Sequence, residues 1–209
     1  MKKFWIAIVL LSAFVLWTVA VCFVDVAPIG PNDTAVGFAT LNGWFHQLTG
    51  VHWSLYVLTD WLGLVPLLVC LAFAVLGLCQ WVRRKSIAKV DGDVLLMGGF
   101  YIVVLAAYLL FETIVVNYRP VLIEGVLEVS YPSSTTLLTL CVLPAALVWL
   151  RRRTAPRWLV TVIVLFTVFM VLGRLCSGVH WLTDIIGGGL LGGGLTALYA
   201  TACDWLNER

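Results

Sequence analysis

The sequence predicts an all-α polytopic membrane protein: six transmembrane helices in a bundle, with a short interfacial helix. Three observations predict it. The 209 residues are 62% hydrophobic and only 11% charged, whereas soluble domains average roughly half apolar and a quarter charged. Mean hydropathy is +1.03, concentrated in long uncharged runs. Basic residues fall almost entirely between alternate runs, as they do beside membrane spans. The length suits one six-span membrane domain over 1–209.

The first run, Phe4 to Val24, follows Met1-Lys2-Lys3. It exceeds a signal-peptide core and has the length of a full span, so it reads as an uncleaved first helix. Residues 33–49 differ in kind. Val36, Leu41, Trp44, Phe45 and Leu48 recur at helical spacing among Asn, Thr, Gly and His, with Asn32 or Asp33 as a cap. That pattern suits a short helix lying in the interface. Five further runs follow, at about 60–82, 94–116, 132–150, 158–176 and 180–203, each able to cross roughly 30 Å of hydrocarbon at about 1.5 Å per residue. The last contains Gly187-Gly188-Gly189 and Gly192-Gly193-Gly194. Small residues four apart permit close helix contact in a membrane, and the absence of a following Lys-Ser/Thr excludes a nucleotide loop. The six cysteines, Cys22, Cys70, Cys79, Cys141, Cys176 and Cys203, show no metal or redox spacing, and most read as packing residues within apolar runs.

Orientation follows from Lys and Arg. Lys2, Lys3, Arg83, Arg84, Lys85, Lys89, Arg151, Arg152, Arg153, Arg157 and Arg209 all fall on one side of a six-span chain, which the positive-inside rule makes cytoplasmic. Both termini are then inside. Tryptophans mark the boundaries: Trp81, Trp149, Trp158 and Trp205 inside, Trp44, Trp53 and Trp181 outside. Arg119 and Arg174 alone remain for the outer face, where the rule disfavours them, and an anion site would explain both.

Three polar segments meet at that face: Asn117-Tyr118-Arg119-Pro120; Tyr131-Pro132-Ser133-Ser134-Thr135-Thr136; and Gly173 through Asp184. His180 and Asp184, four apart, share a face at the start of a helix. Asp184 can hold one imidazole nitrogen and leave the other free to attack; a structural His–Asp pair tying helix to loop is the competing reading. Arginines 119 and 174 offer planar paired donors to phosphate oxygens. Pro132 suits a first helical turn, leaving the amides of Ser133, Ser134 and Thr135 free to bind phosphate. Together these predict a phosphate pocket with a histidine nucleophile at the outer boundary.

The pattern R-x5-H-x3-D, following R-P and a P-S segment in a six-span chain, resembles the phosphatidic acid phosphatase type 2 family, whose motifs are K-x6-R-P, P-S-G-H and S-R-x5-H-x3-D. The resemblance implies His180 as a nucleophile forming a phosphohistidine and Asp184 as its orienting partner. It implies Arg119, Arg174 and Ser133 as phosphate ligands, hydrolysis without metal or other cofactor, and lipid phosphates or pyrophosphates as substrates. The sequence departs from the family at four places: Glu112 stands for the lysine, Ser134 for the glycine, Thr135 for the histidine that protonates the leaving group, and Gly173 for the serine. Ser134 and Thr135 then serve the phosphate only as helix-start donors, and Glu112 and Tyr118 flank the pocket as modulators. His46, His52, Glu124 and Glu128 are the outer residues that could replace the missing acid.

A positioned acid contributes about 10²–10⁴-fold. An alkoxide leaving group, with a conjugate acid of pKa roughly 16 by analogy with water, needs it. A phosphate ester leaving from a pyrophosphate, with a pKa near about 6, needs little help. The expected substrate is therefore a polyprenyl pyrophosphate such as undecaprenyl pyrophosphate, cleaved at the outer face. A phosphotransferase and an inactive relative that binds or transports a phospholipid are the alternatives. The short chain, without an organelle-retention signal, suits a bacterial plasma membrane, the inner one where there are two. Its partners are then the bilayer and the lipid substrate, not nucleic acid.

Overall fold

The computed structural model describes residues 1–208, so Arg209, assigned above to the inner flank, lies outside the described residues. Eight α-helices appear among them: α1 (Lys2–Phe23), α2 (Ala39–Thr49), α3 (Trp53–Leu62), α4 (Leu64–Arg84), α5 (Gly92–Thr113), α6 (Ser134–Arg151), α7 (Arg157–Cys176) and α8 (Leu182–Asn207). Six stretches are long and apolar enough to cross a membrane, with α3 and α4 counted together as Trp53–Arg84. All six expected spans are present. The second begins at Trp53, ahead of the run expected from about residue 60, and within the added length Asp60 is paired with Arg174 at 3.2 Å.

The predicted interfacial helix starts at Ala39, later than expected. Asn32 and Asp33 do not cap it; they belong to a 3₁₀ turn, Pro31–Asp33, and Phe38 is the residue before the helix. Helix α2 exposes Trp44 and Leu48 but buries Asn42 completely. Asn42 donates to the Thr183 hydroxyl at 3.0 Å and accepts from the Thr183 amide at 3.2 Å. A buried amide side chain requires such partners. Here they fix α2 against the first turn of α8.

Helices α6 and α8 form the buried centre, with α1 and α5 packed around them through Phe14, Phe100, Leu137, Cys141, Leu191 and Tyr199. The glycines of α8 make this approach possible. A Cβ on Gly187 would sit 2.7 Å from the Tyr131 ring, one on Gly188 3.0 Å from the Ser133 carbonyl, and one on Gly194 2.7 Å from Leu11. Of the cysteines, Cys141 and Cys203 are core residues, whereas Cys22, Cys79 and Cys176 are exposed.

The two ends of the bundle differ in charge chemistry. At the end carrying the N-terminus of α1 and the C-terminus of α8, Lys3 and Arg152 both pair with Asp204, at 2.8 and 3.2 Å. Arg153 pairs with Asp93 at 2.7 Å and Arg84 with Asp91 at 2.6 Å. Arg119 and Arg174 lie at the other end, where the site is built.

Candidate active site

Residues 117–130 form a compact hairpin between α5 and α6. Ile123-Glu124-Gly125-Val126 makes its turn, with φ of 50° at Glu124 and 80° at Gly125. Two consecutive positive φ values define a type I′ turn, which matches strand twist and favours glycine. Ladder bonds run from the Arg119 amide to the Glu128 carbonyl at 2.9 Å and from the Ser130 amide to the Asn117 carbonyl at 3.0 Å. This register sets Glu128 opposite Arg119, and their side chains pair at 2.9 Å.

His180 precedes α8 in a turn that needs Gly178, whose φ is +70°; a Cβ there would collide with the Gly50 carbonyl. Only 3% of His180 is exposed. Its Nε2 lies 3.4 Å from Nη1 of Arg119. Because a guanidinium only donates, Nε2 is the acceptor nitrogen and the ring proton sits on Nδ1. Nδ1 faces Asp184 Oδ2 at 3.6 Å, longer than a hydrogen bond. Asp184 is itself held firmly: its Oδ2 accepts from the Trp181 amide at 2.9 Å, and its Oδ1 faces Asn117 Nδ2 at 3.4 Å. An acid at the third helical position accepting from the amide before the helix also suits the dipole of α8.

Burial holds the His180 imidazole well below the ordinary value of 6.5, and the charges of Arg119 and Arg174 push it the same way. Burial and the two arginine charges outweigh the Ser130 backbone, which favours the imidazolium, so the ring is neutral wherever the usual histidine titrates. In detergent-solubilised protein with isotope-labelled histidine, the resonance lost in His180→Ala should keep its neutral shift from pH 7.5 down to about 5.5. A titration midpoint near 6.5 would contradict this assignment.

A cavity of 390 Å³ opens beside His180, lined by Tyr108, Phe111, Glu112, Arg119, Glu128, Ser130, Ser134 and His180 among others. Four sequence expectations are corrected here. Ser133 does not present a free amide: its N–H donates to the Asp184 carbonyl at 3.0 Å, and its fully buried hydroxyl faces the Thr136 amide at 3.5 Å. Helix α6 starts at Ser134, so Pro132 lies outside its first turn. Thr135 lines a neighbouring apolar groove instead of the polar cavity. Trp181 is 3% exposed, not interfacial, and donates through Nε1 to the Tyr118 carbonyl at 2.8 Å; Tyr118 thus supports the site from behind.

Arg174 is the largest correction. Its guanidinium donates to the Tyr56 carbonyl and the Thr59 hydroxyl, both at 3.3 Å, pairs with Asp60, and lies 4.8 Å from the centre of the Tyr56 ring. It does not line the cavity. Gly173 explains why: a Cβ there would lie 2.7 Å from Thr59 Cγ2, so its absence lets α3 press onto α7 and capture the arginine. Asp60 was missed by sequence reasoning, and its only signal was a lone acid amid apolar residues. Of the candidate replacement acids, Glu128 alone lines the cavity. His46 instead stands against Trp181 with ring centroids 5.5 Å apart.

The fold and site define a multi-pass helical membrane protein with a buried, neutral histidine and an arginine facing one cavity. The chain matches the model of the PAP2 superfamily over residues 100–208, just over half its length, and it belongs to that family of membrane phosphatases. It is similar in fold to the crystal structure of the first transmembrane PAP2 type phosphatidylglycerolphosphate phosphatase from Bacillus subtilis, at a TM-score of 0.58 and 20% identity, covering 98% of each chain. No curated protein matches it.

Proposed function

We propose that this chain hydrolyses a lipid phosphate, with a polyprenyl pyrophosphate preferred, at the outer face of a bacterial plasma membrane, both termini being cytoplasmic. The observation that carries the proposal is Nε2 of a buried His180 in contact with Arg119 at 3.4 Å beside a cavity that both residues line. Nε2 attacks phosphorus, and the bond to the leaving oxygen breaks with its electrons on that oxygen. The Nδ1 proton stays directed at Asp184, which stabilises the positive phosphohistidine. Water then attacks the same phosphorus, returning the imidazole and releasing inorganic phosphate. Arg119 would transfer its donor from Nε2 to a phosphoryl oxygen as substrate enters, and the Ser134 amide, at the open start of α6, adds another donor.

An apolar groove of 570 Å³, lined by Leu64, Leu67, Val104 and Leu105, shares Tyr108, Ser134 and Leu137 with the polar cavity. A headgroup in one and a hydrocarbon chain in the other supports a lipidic substrate. Thr135, standing where the family acid would be, faces this groove and not the reacting centre. That placement supports a substrate whose leaving group needs no proton. Purified protein should release phosphate from undecaprenyl pyrophosphate at least about a hundredfold faster than from phosphatidic acid, the low end of what a positioned acid supplies. The reverse preference would overturn the leaving-group argument. The Arg119–Glu128 ion pair favours a second reading, a protein that binds lipid phosphate without turnover; retention of labelled lipid with no phosphate released identifies it.

A further inference from the structure

We propose that the groove between α4 and α5, at the inner end of the bundle, holds an acyl chain of an anionic phospholipid from the cytoplasmic leaflet, with its phosphate on Lys85 and Lys89. The inference rests on the termini being cytoplasmic and not on the chemistry at His180. The groove has a volume of 650 Å³ and is lined by Cys70, Phe73, Trp81, Val94 and Tyr101 among others. Gly98 and Gly99 open its α5 wall, where an added Cβ would meet nothing within 4 Å. From Cys70 to Trp81 it runs about 16 Å along α4, about half of a hydrocarbon core of roughly 30 Å. A groove of that length takes a chain from one leaflet. Cys70 and Tyr101 also line the outer apolar groove proposed for the substrate's hydrocarbon chain, so the two grooves meet near mid-bilayer.

The mouth of the inner groove is basic. Ile87 and Val90 line it, and Lys85, Ser86 and Lys89 belong to the same short connection between α4 and α5. The two acids at the start of α5 are already neutralised, Asp91 by Arg84 at 2.6 Å and Asp93 by Arg153 at 2.7 Å. Arg83, Lys85 and Lys89 are exposed and form no ion pair among the described residues. Excess positive charge beside an apolar slot attracts the anionic lipids of the cytoplasmic leaflet. Trp81 sets the mouth at headgroup depth, where interfacial tryptophans sit. A zwitterionic lipid would fill the slot but leave these charges without a partner.

The test is quenching of tryptophan fluorescence by phospholipids brominated near the carbonyl end of the acyl chain, on the purified full chain in uncharged detergent micelles. Because the chain has ten tryptophans, the Trp81 contribution is taken as the difference from Trp81→Phe. Brominated phosphatidylserine should quench that contribution at a concentration about tenfold lower than brominated phosphatidylcholine, the scale of two lysines near an anionic headgroup. In Lys85→Gln/Lys89→Gln the ratio should fall below about threefold. In Gly98→Leu, whose side chain enters open space, Trp81 should lose most of its quenching by both lipids. Equal quenching by the two lipids in the wild type, or quenching unchanged by Gly98→Leu, overturns the inference. Displacement of brominated phosphatidylserine by undecaprenyl phosphate but not by unlabelled phosphatidylserine would give the groove to the substrate's own chain, and would also overturn it. Selective quenching in a protein that releases no phosphate from any lipid supports the inference and removes the hydrolase reading.

Discussion

Replacing His180 by alanine should lower phosphate release by about 10⁴–10⁶-fold, the range seen when a covalent nucleophile is removed. The chain should still fold. His180 lies before α8, and the contacts that start this helix belong to neighbouring residues. Asp184 keeps the Trp181 amide, Thr183 keeps Asn42, and the Ser133 amide keeps the Asp184 carbonyl. The small cavity left by the ring adjoins one that is already open. Phosphate release by His180→Ala at even a tenth of the wild-type rate, in protein eluting as a single species, would remove the imidazole from the mechanism.

The second large effect belongs to Arg119. Arg119→Gln should lower kcat/KM by about 10²–10³-fold, roughly 3–4 kcal/mol of transition-state stabilisation. Among the described residues Arg119 is the one cation lining the cavity, and it contacts Nε2 at 3.4 Å, so no lining neighbour replaces it. The freed Glu128 would also remain at the phosphate, now without a counter-charge. Arg119→Lys should recover only part of the loss, because an ammonium keeps the charge but not the planar fork that reaches imidazole and carboxylate together. A change below about threefold in Arg119→Gln would show that phosphate is held elsewhere, with Arg174 the obvious candidate.

That alternative has structural content, because the two arginines were equivalent in the sequence and are not so in space. Both are basic residues at a face where the charge rule disfavours them, and spacing alone gave each the same role. The partners that separate them are remote: Asp60 stands 114 residues from Arg174. One-dimensional patterns register the lone acid but not what it meets. Gly173 carried a usable signal, since a glycine in place of a side chain permits close approach, but the approaching element was not identifiable.

Legibility elsewhere followed the range of the interaction. Hydropathy runs of span length marked all six membrane helices, because lipid imposes that length on any helix. The His180–Asp184 pairing was readable as an i, i+4 relation, although His180 proves to lie just outside the helix and the two meet at 3.6 Å. The hairpin was missed, though its mark was present: Val121, Leu122 and Ile123, then Glu124-Gly125, then Val126, Leu127 and Val129. β-prone runs around a two-residue turn are a hairpin signal. A regular ladder from that turn would set Arg119 opposite Ser130; the Tyr118–Val129 bridge shifts the register by two residues and brings Glu128 there instead. Ser133 misled for a different reason, since a serine at a helix start reads as an open donor until a neighbouring carbonyl claims its amide.

The most direct test is to quench wild-type protein during turnover of polyprenyl pyrophosphate ³²P-labelled at its terminal phosphate and locate the protein-bound label. The expected result is label on His180, stable in alkali, lost in acid and absent from His180→Ala. Turnover with no bound label at any quench time, or label on a carboxylate or hydroxyl instead, would contradict a histidine nucleophile.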